Sequence, residues 1–348
     1  MTADTTTPPR TRRFRLYLPF GLLAVAALAW TVAWFVIRGR VEAGLNDWIA
    51  AEATVGRRWA CADRRIGGYP FRIEIGCATL RLERRDLAAE LGPVLVVTQV
   101  YRPSHLIAEA AGPLQVQSAG GAVTATWRLL QASVNTKAGE ERAAIVTDGP
   151  TVRAERPGAE PVEARAARTE IHARPAPADR TTADVAFSAT GATVPGLDPL
   201  VGGTEPADLD LRLAVSRAYD LPGRPNWSEL ERWRLAGGDA TLVRFAIRKG
   251  PRRLEASGAA RLDDAHRPAG EFRVAADGLE GLLGRFTGGA GLAGGLLGAL
   301  LGAAPPPAGV PPATGGPALK PLPPLALRDG RVFLGPIAIP SVRLPALY

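Results

Sequence analysis

The stretch Leu209-Asp210-Leu211-Arg212-Leu213-Ala214-Val215-Ser216 keeps an apolar residue at every second position. Successive side chains of a β-strand point to opposite faces, so this spacing predicts a strand with one apolar and one wet face. The rhythm extends outward in both directions. Toward the N-terminus, Phe71, Ile73 and Ile75 alternate with Arg72 and Glu74, and Leu80 and Leu82 with Arg81 and Glu83. Val94, Val96 and Thr98 continue it, as do Leu114 and Val116 with Gln115 and Gln117. Single strands are expected over 122–130, 143–147, 151–155, 164–172 and 182–190. A meander is expected over 240–248, 253–262 and 270–276, with turns at Lys249-Gly250-Pro251 and Asp263–Pro268. Short strands at 325–327, 331–333 and 337–339 close the chain, while 230–235 fits a helical turn and a strand equally. The expected fold class is β-rich, from all-β to α+β, with antiparallel sheets.

Two segments break the rhythm. Leu16–Ile37 is an apolar run free of charge, preceded by Arg10, Arg12, Arg13 and Arg15. Roughly 20 apolar residues at about 1.5 Å each cross a bilayer core. The basic flank predicts a cytoplasmic N-terminus, although Arg38 and Arg40 weaken the bias. Trp30 and Trp34 near one end and Tyr17 near the other suit the two headgroup zones. The expected organisation is a basic cytoplasmic tail (1–15), a transmembrane helix (16–37) and an exported β-rich domain (38–348). The rival is a signal peptide cleaved near Ala27-Leu28-Ala29; the continuation of the run to Ile37 favours an uncleaved anchor. Val41, Leu45, Trp48 and Ile49 carry the helix on toward a stop at Gly56. The second break is Gly278–Phe286, where Leu279, Leu282, Leu283 and Phe286 recur at helical spacing and form a candidate cover for the apolar sheet face. Residues 287–325, rich in Gly, Ala and Pro, are expected to be a flexible loop, of which the part up to Leu301 could extend that helix.

The formal charge of +8 does not point to nucleic acid. The chain has three lysines, Lys137, Lys249 and Lys320, and its arginines are interleaved with Asp and Glu. That pattern is a solvated mixed-charge surface, compatible with mild attraction to anionic lipid headgroups. Cys61 and Cys77 read most simply as a disulfide in an oxidising compartment, the alternative being two unpaired buried thiols. The turn signal Gly67-Gly68 between them would fold the two close to opposite one another. Two cysteines without nearby histidine are too few for a metal site.

Catalytic motifs are weak. Gly289, Gly291 and Gly294 match a dinucleotide fingerprint but follow no strand. Asn226-Trp227-Ser228 matches a glycosylation acceptor by pattern only. His105, His172 and His266 lie far apart, and no nucleophile elbow occurs. No cofactor, metal or catalytic residue is expected. The strongest local motif runs from Arg64 through Gly67, Gly68, Tyr69, Pro70 and Phe71 to Arg72. Its structural reading is a turn at the glycines, an edge strand opening at Pro70, and Tyr69 and Phe71 leading into the apolar face. Its functional reading places Tyr69 and the arginines at a membrane-facing mouth.

Gly68-Tyr69-Pro70-Phe71-Arg72, bracketed by the two cysteines soon after the membrane helix, resembles the envelope proteins of domain-of-unknown-function family 2125. Residues Leu327–Pro336 and the closing Leu347-Tyr348 are similar to that family's end. More loosely, the meander of 209–276 followed by 278–286 resembles the AsmA-like proteins of the Gram-negative envelope. These likenesses imply an elongated, curved antiparallel sheet with an apolar inner face and one or two covering helices. They bring no catalytic residues. The expectation is a bacterial inner-membrane protein with a single span and a periplasmic domain. Its expected role is non-enzymatic envelope maintenance or acyl-chain binding. A scaffold that recruits another envelope protein through its strand edges is the second reading, and an envelope hydrolase the third.

Overall fold

Helix α1 (Arg13–Thr54) takes in the whole apolar run and continues without interruption well beyond it. The computed structural model describes residues 13–195, 198, 203–219, 227–278 and 319–348. The expected stop is present. Gly56 has φ +80°, its N–H donates to the Ala53 carbonyl at 3.1 Å, and the Arg57 N–H reaches the Glu52 carbonyl at 3.0 Å. Glycine adopts this left-handed turn without a Cβ penalty and thereby closes the helix.

Seven long strands follow, each interrupted near its middle, so that one half lies in a seven-stranded minor sheet and the other in a sixteen-stranded major sheet. In chain order the halves are β1 (Arg58–Ala62) and β2 (Arg65–Gly67); β3 (Arg72–Cys77) and β4 (Thr79–Glu83); β5 (Leu87–Leu91) and β6 (Val94–Gln99); β7 (Arg102–Ala110) and β8 (Leu114–Ser118). Then come β9 (Gly121–Thr126) and β10 (Leu129–Asn135); β11 (Arg142–Asp148) and β12 (Thr151–Glu155); β13 (Val162–Arg165) and β14 (Arg168–Pro175). Uninterrupted strands extend the major sheet: β15 (Ala183–Ala192), β16 (Ala207–Val215), β17 (Ala240–Lys249), β18 (Arg252–Leu262) and β19 (Pro268–Asp277). Its far edge is built by β20 (Lys320–Pro321), β21 (Leu325–Arg328), β22 (Arg331–Leu334) and β23 (Ile337–Arg343). A short helix, α2 (Trp227–Leu235), lies between β16 and β17 in the chain. All pairings are antiparallel, and the long strands follow one another in a meander.

The interruptions line up as a crease. Three fall at Gly92-Pro93, Gly112-Pro113 and Gly149-Pro150. Proline offers no N–H to a ladder, and so ends regular pairing at that point. Neighbouring strands remain bonded across the crease: Ala78 N–H to Ala62 O at 2.9 Å, Ala111 N–H to Pro93 O at 2.8 Å and Arg128 N–H to Asp148 O at 3.0 Å. The crease corrects two expectations. Residues 122–130 and 164–172 are not single strands; each is divided, at Trp127-Arg128 and at Ala166-Ala167, with its halves in different sheets. The undecided stretch 230–235 is helical, anchored by Trp233, which is buried and donates its indole N–H to the Ser216 carbonyl at 2.7 Å. Strands β5 and β7 carry no clear alternation and were not anticipated. At the end of the expected flexible loop, Lys320-Pro321 and Leu325 are paired with β19. The candidate cover residues Leu279, Leu282, Leu283 and Phe286, the glycines at 289–294 and Asn226 lie outside the described residues.

Candidate functional site: a creased apolar face

The register of the major sheet places one apolar row across eleven strands. Ile75, Val96, Ala108, Ala132, Ile145, Ile171, Phe187, Leu211, Phe245, Ala256 and Val274 are successive cross-strand partners. Paired residues share a face, so all eleven point to the same side. The opposite side carries Glu109, Gln131, Glu170, Asp210 and Glu255 in a parallel row. In the minor sheet Trp59, Leu82, Ala89, Val116, Val123, Ala154 and Val162 form a second apolar row.

The disulfide fixes how the two faces relate. Cys61 is paired in register with Leu80, on the apolar side of the minor sheet, and Cys77 with Val94, on the apolar side of the major sheet. The two are bonded, with Cα atoms 5.2 Å apart. The apolar sides therefore meet on one side of the crease. The hairpin expected from Gly67-Gly68 is present, and its bond crosses the fold line from β1, the edge strand of the minor sheet, to β3, the second strand of the major sheet.

This face is thinly covered. Among the described residues no large side chain is fully enclosed. Ile145 and Ile171, neighbours in the row, are 41% and 42% exposed, and Leu106 and Val134 are similarly open. Fully burying one such side chain stabilises by roughly 1.5–3 kcal/mol, so a row this long offers a sizeable driving force to anything apolar that lies on it.

At its first edge the face meets α1. The Trp48 ring lies 5.7 Å from that of Trp59. Further along, the Trp34 indole N–H donates to the Arg72 carbonyl at 2.9 Å and the Trp30 indole N–H to the Pro70 carbonyl at 3.0 Å. Tyr69 packs edge-on against Trp34, with ring centres 5.4 Å apart, and Phe71 lies 6.0 Å from Trp30. Tyr69 and Phe71 thus do not lead into the apolar face as expected; more than half exposed, they rest against the helix. The first strand after the turn opens at Arg72 rather than Pro70. Gly68 has φ +97°, and a Cβ there would meet the Arg72 carbonyl oxygen, so the turn requires glycine.

The polar side holds an open groove of about 690 Å³ lined by His172, Arg174, Asp184, Asp210, Arg212 and Ser133, among others. His172 Nε2 lies 3.0 Å from Glu170, and His105 Nε2 lies 3.0 Å from Ser133 Oγ. The latter pairs a hydroxyl with a base, but among the described residues no carboxylate is hydrogen-bonded to His105 to orient it, as an activated serine needs. His266 sits elsewhere, stacked on Tyr348 with ring centres 4.3 Å apart. The Tyr348 hydroxyl donates to Glu231 at 2.6 Å, and Arg234 grips the same carboxylate with both forks. Those hydrogen bonds, Arg234's first, hold the Glu231 carboxyl down at about 2. No local sequence pattern marks this cluster, because its members come from α2, the β18–β19 turn and the chain end. Among the described residues no group of His, Cys, Asp and Glu is arranged to hold a metal ion.

The fold and this face define a β-rich protein of two large antiparallel sheets that carries one N-terminal helix long and apolar enough to cross a membrane. A family model described as "Uncharacterized protein conserved in bacteria (DUF2125)" matches residues 34–343, and the chain belongs to that family. No curated protein and no solved structure matches it.

Proposed function

We propose that this protein is a single-span bacterial inner-membrane protein whose periplasmic sheet holds acyl chains of envelope lipids on its creased apolar face. The observation that carries this reading is the unbroken row from Ile75 to Val274, left half open at Ile145 and Ile171. Its role is binding in envelope maintenance rather than chemistry. The basic flank before the apolar run of α1 supports a cytoplasmic N-terminus, the disulfide suits an oxidising compartment, and the looser likeness to AsmA-like proteins belongs to the same proposal. The scaffold reading is less favoured. The outer strand β23 contains Pro340, which has no N–H to offer an added strand.

Mild extraction of the full chain followed by mass spectrometry of bound lipid tests the proposal. Stoichiometric phospholipid or fatty acid that survives washing, and that falls with Ile171→Glu, is the expected result. A folded, lipid-free protein whose apolar row takes up no added lipid overturns it.

A further inference from the structure

The turn between β2 and β3 touches α1 inside its apolar run, not beyond it. Trp30 precedes the end of that run, Ile37, by seven residues, about 10 Å along a helix axis. Three hydrogen bonds tie the turn to this level. Two are the indole N–H groups of Trp30 and Trp34 on the Pro70 and Arg72 carbonyls. In the third, Thr31 Oγ1 donates to its own helix at Ala27 O, 2.8 Å, which leaves it to accept from the Tyr69 hydroxyl at 2.8 Å. Carbonyls at a water-facing turn need no such partners. In lipid each unpaired polar group costs several kcal/mol, and irregular backbone there must be satisfied by neighbouring protein.

The adjacent β6–β7 turn continues the same tip. Val100 N–H donates to the Phe71 carbonyl at 3.0 Å, and Tyr101 beside it is 63% exposed. Tyr69, Phe71 and Tyr101 therefore present three open aromatic rings at one tip, where Phe71 lies against Trp30 and Tyr69 against Trp34, a composition suited to the headgroup zone of a bilayer. Arg72 and Arg102 flank them, long enough to extend their charged ends to lipid phosphates.

We propose that these two turns, Tyr69-Pro70-Phe71 and Tyr101, are immersed in the headgroup–acyl boundary of the membrane that α1 crosses. The partner of this surface is the lipid bilayer. The inference rests on the reading of α1 as an anchor. It seats the sheet on the membrane rather than letting it hang from a stalk. Ile73, 3% exposed and one residue past the turn's anchor at Arg72, then begins the apolar side at lipid level. An acyl chain can pass from the outer leaflet to the row without crossing water.

The test uses the full chain in vesicles of phosphatidylcholine and phosphatidylglycerol. Single nitroxide labels are attached at Tyr101→Cys, at Ala26→Cys within the apolar run, and at Ala119→Cys in the β8–β9 turn at the far end of the minor sheet. The native cysteines are bonded to each other and do not react. The Tyr101 label, like the Ala26 label, is expected to collide several-fold more with dissolved oxygen than with a water-soluble nickel chelate, and the Ala119 label to do the reverse. Phe71→Cys gives an independent reading of the same tip should Tyr101→Cys misfold. A tip label that behaves like Ala119 while Ala26 stays in lipid overturns the insertion alone. Labels at Ala26 and at the tip that are both reached by nickel overturn the anchor and the insertion together.

Discussion

Trp34 gives its indole proton to the backbone carbonyl of Arg72, 38 residues away, at 2.9 Å. Trp34 is 4% exposed and is one of the few large apolar side chains buried in the described chain. Trp34→Phe keeps an aromatic ring, smaller than the indole, and removes the donor. The stranded carbonyl is expected to cost about 1–3 kcal/mol. Heat unfolding of the detergent-solubilised protein, followed by circular dichroism, reports the loss as a lowered midpoint. Trp48→Phe, at an exposed ring without such a bond to the turn, is the milder comparison.

The Cys61–Cys77 bond closes a loop with a sequence separation of 16. A loop of that size contributes about 3 kcal/mol through the unfolded chain. Cys61→Ser with Cys77→Ser should therefore lower stability by roughly that amount. Adding a reductant should shift the denaturation midpoint of the native protein and leave that of the double variant unchanged.

Ile171 and His172 are adjacent and point to opposite faces of β14. Ile171→Glu places a charge in the apolar row and should cut bound lipid strongly, with the circular dichroism spectrum retained. His172→Gln, on the wet face and exposed, should leave lipid content unchanged and stability within about 0.5 kcal/mol. Equal loss in both variants would count against a face-specific site.

The Glu231 carboxyl is held at about 2, below its ordinary 4.5, by Arg234 and by the Tyr348 hydroxyl. A depressed carboxyl contributes stability that is fully present above its unfolded value, near 4.5, and is lost as the pH falls through about 2. Tyr348→Phe keeps the stacking on His266 and Trp227 but removes one of the two supports. Unfolding midpoints of the native protein and Tyr348→Phe should differ at pH 6 and converge as the pH approaches 2.

Alternation made most strands legible, because a sheet with one wet face must place polar residues at every second position. The stretch 209–215 and the strand 151–155 stand as read. The crease was not read from the sequence; it leaves a mark there only at the Gly-Pro steps, which separate strand candidates without showing that their halves join different sheets. At Trp127-Arg128 and Ala166-Ala167 no breaker interrupts the pattern, so two kinked strands passed for straight ones. The nine residues of α2 are too few to separate a helical period from a strand period. The cysteine pair was readable from spacing and a turn signal. The docking of Tyr69 and Phe71 on Trp30 and Trp34 was not, since no local pattern links residues almost forty positions apart. For the same reason the bonding of Tyr348 to Glu231 left no trace in composition or periodicity.

The pairing of each strand with its near neighbours in the chain bears on assembly during synthesis. Each newly made strand finds its partner already in place, one hairpin back, so the structure can grow by zippering from its first hairpin without waiting for distant segments. Truncated nascent chains should gain protease resistance in steps of one hairpin rather than all at once.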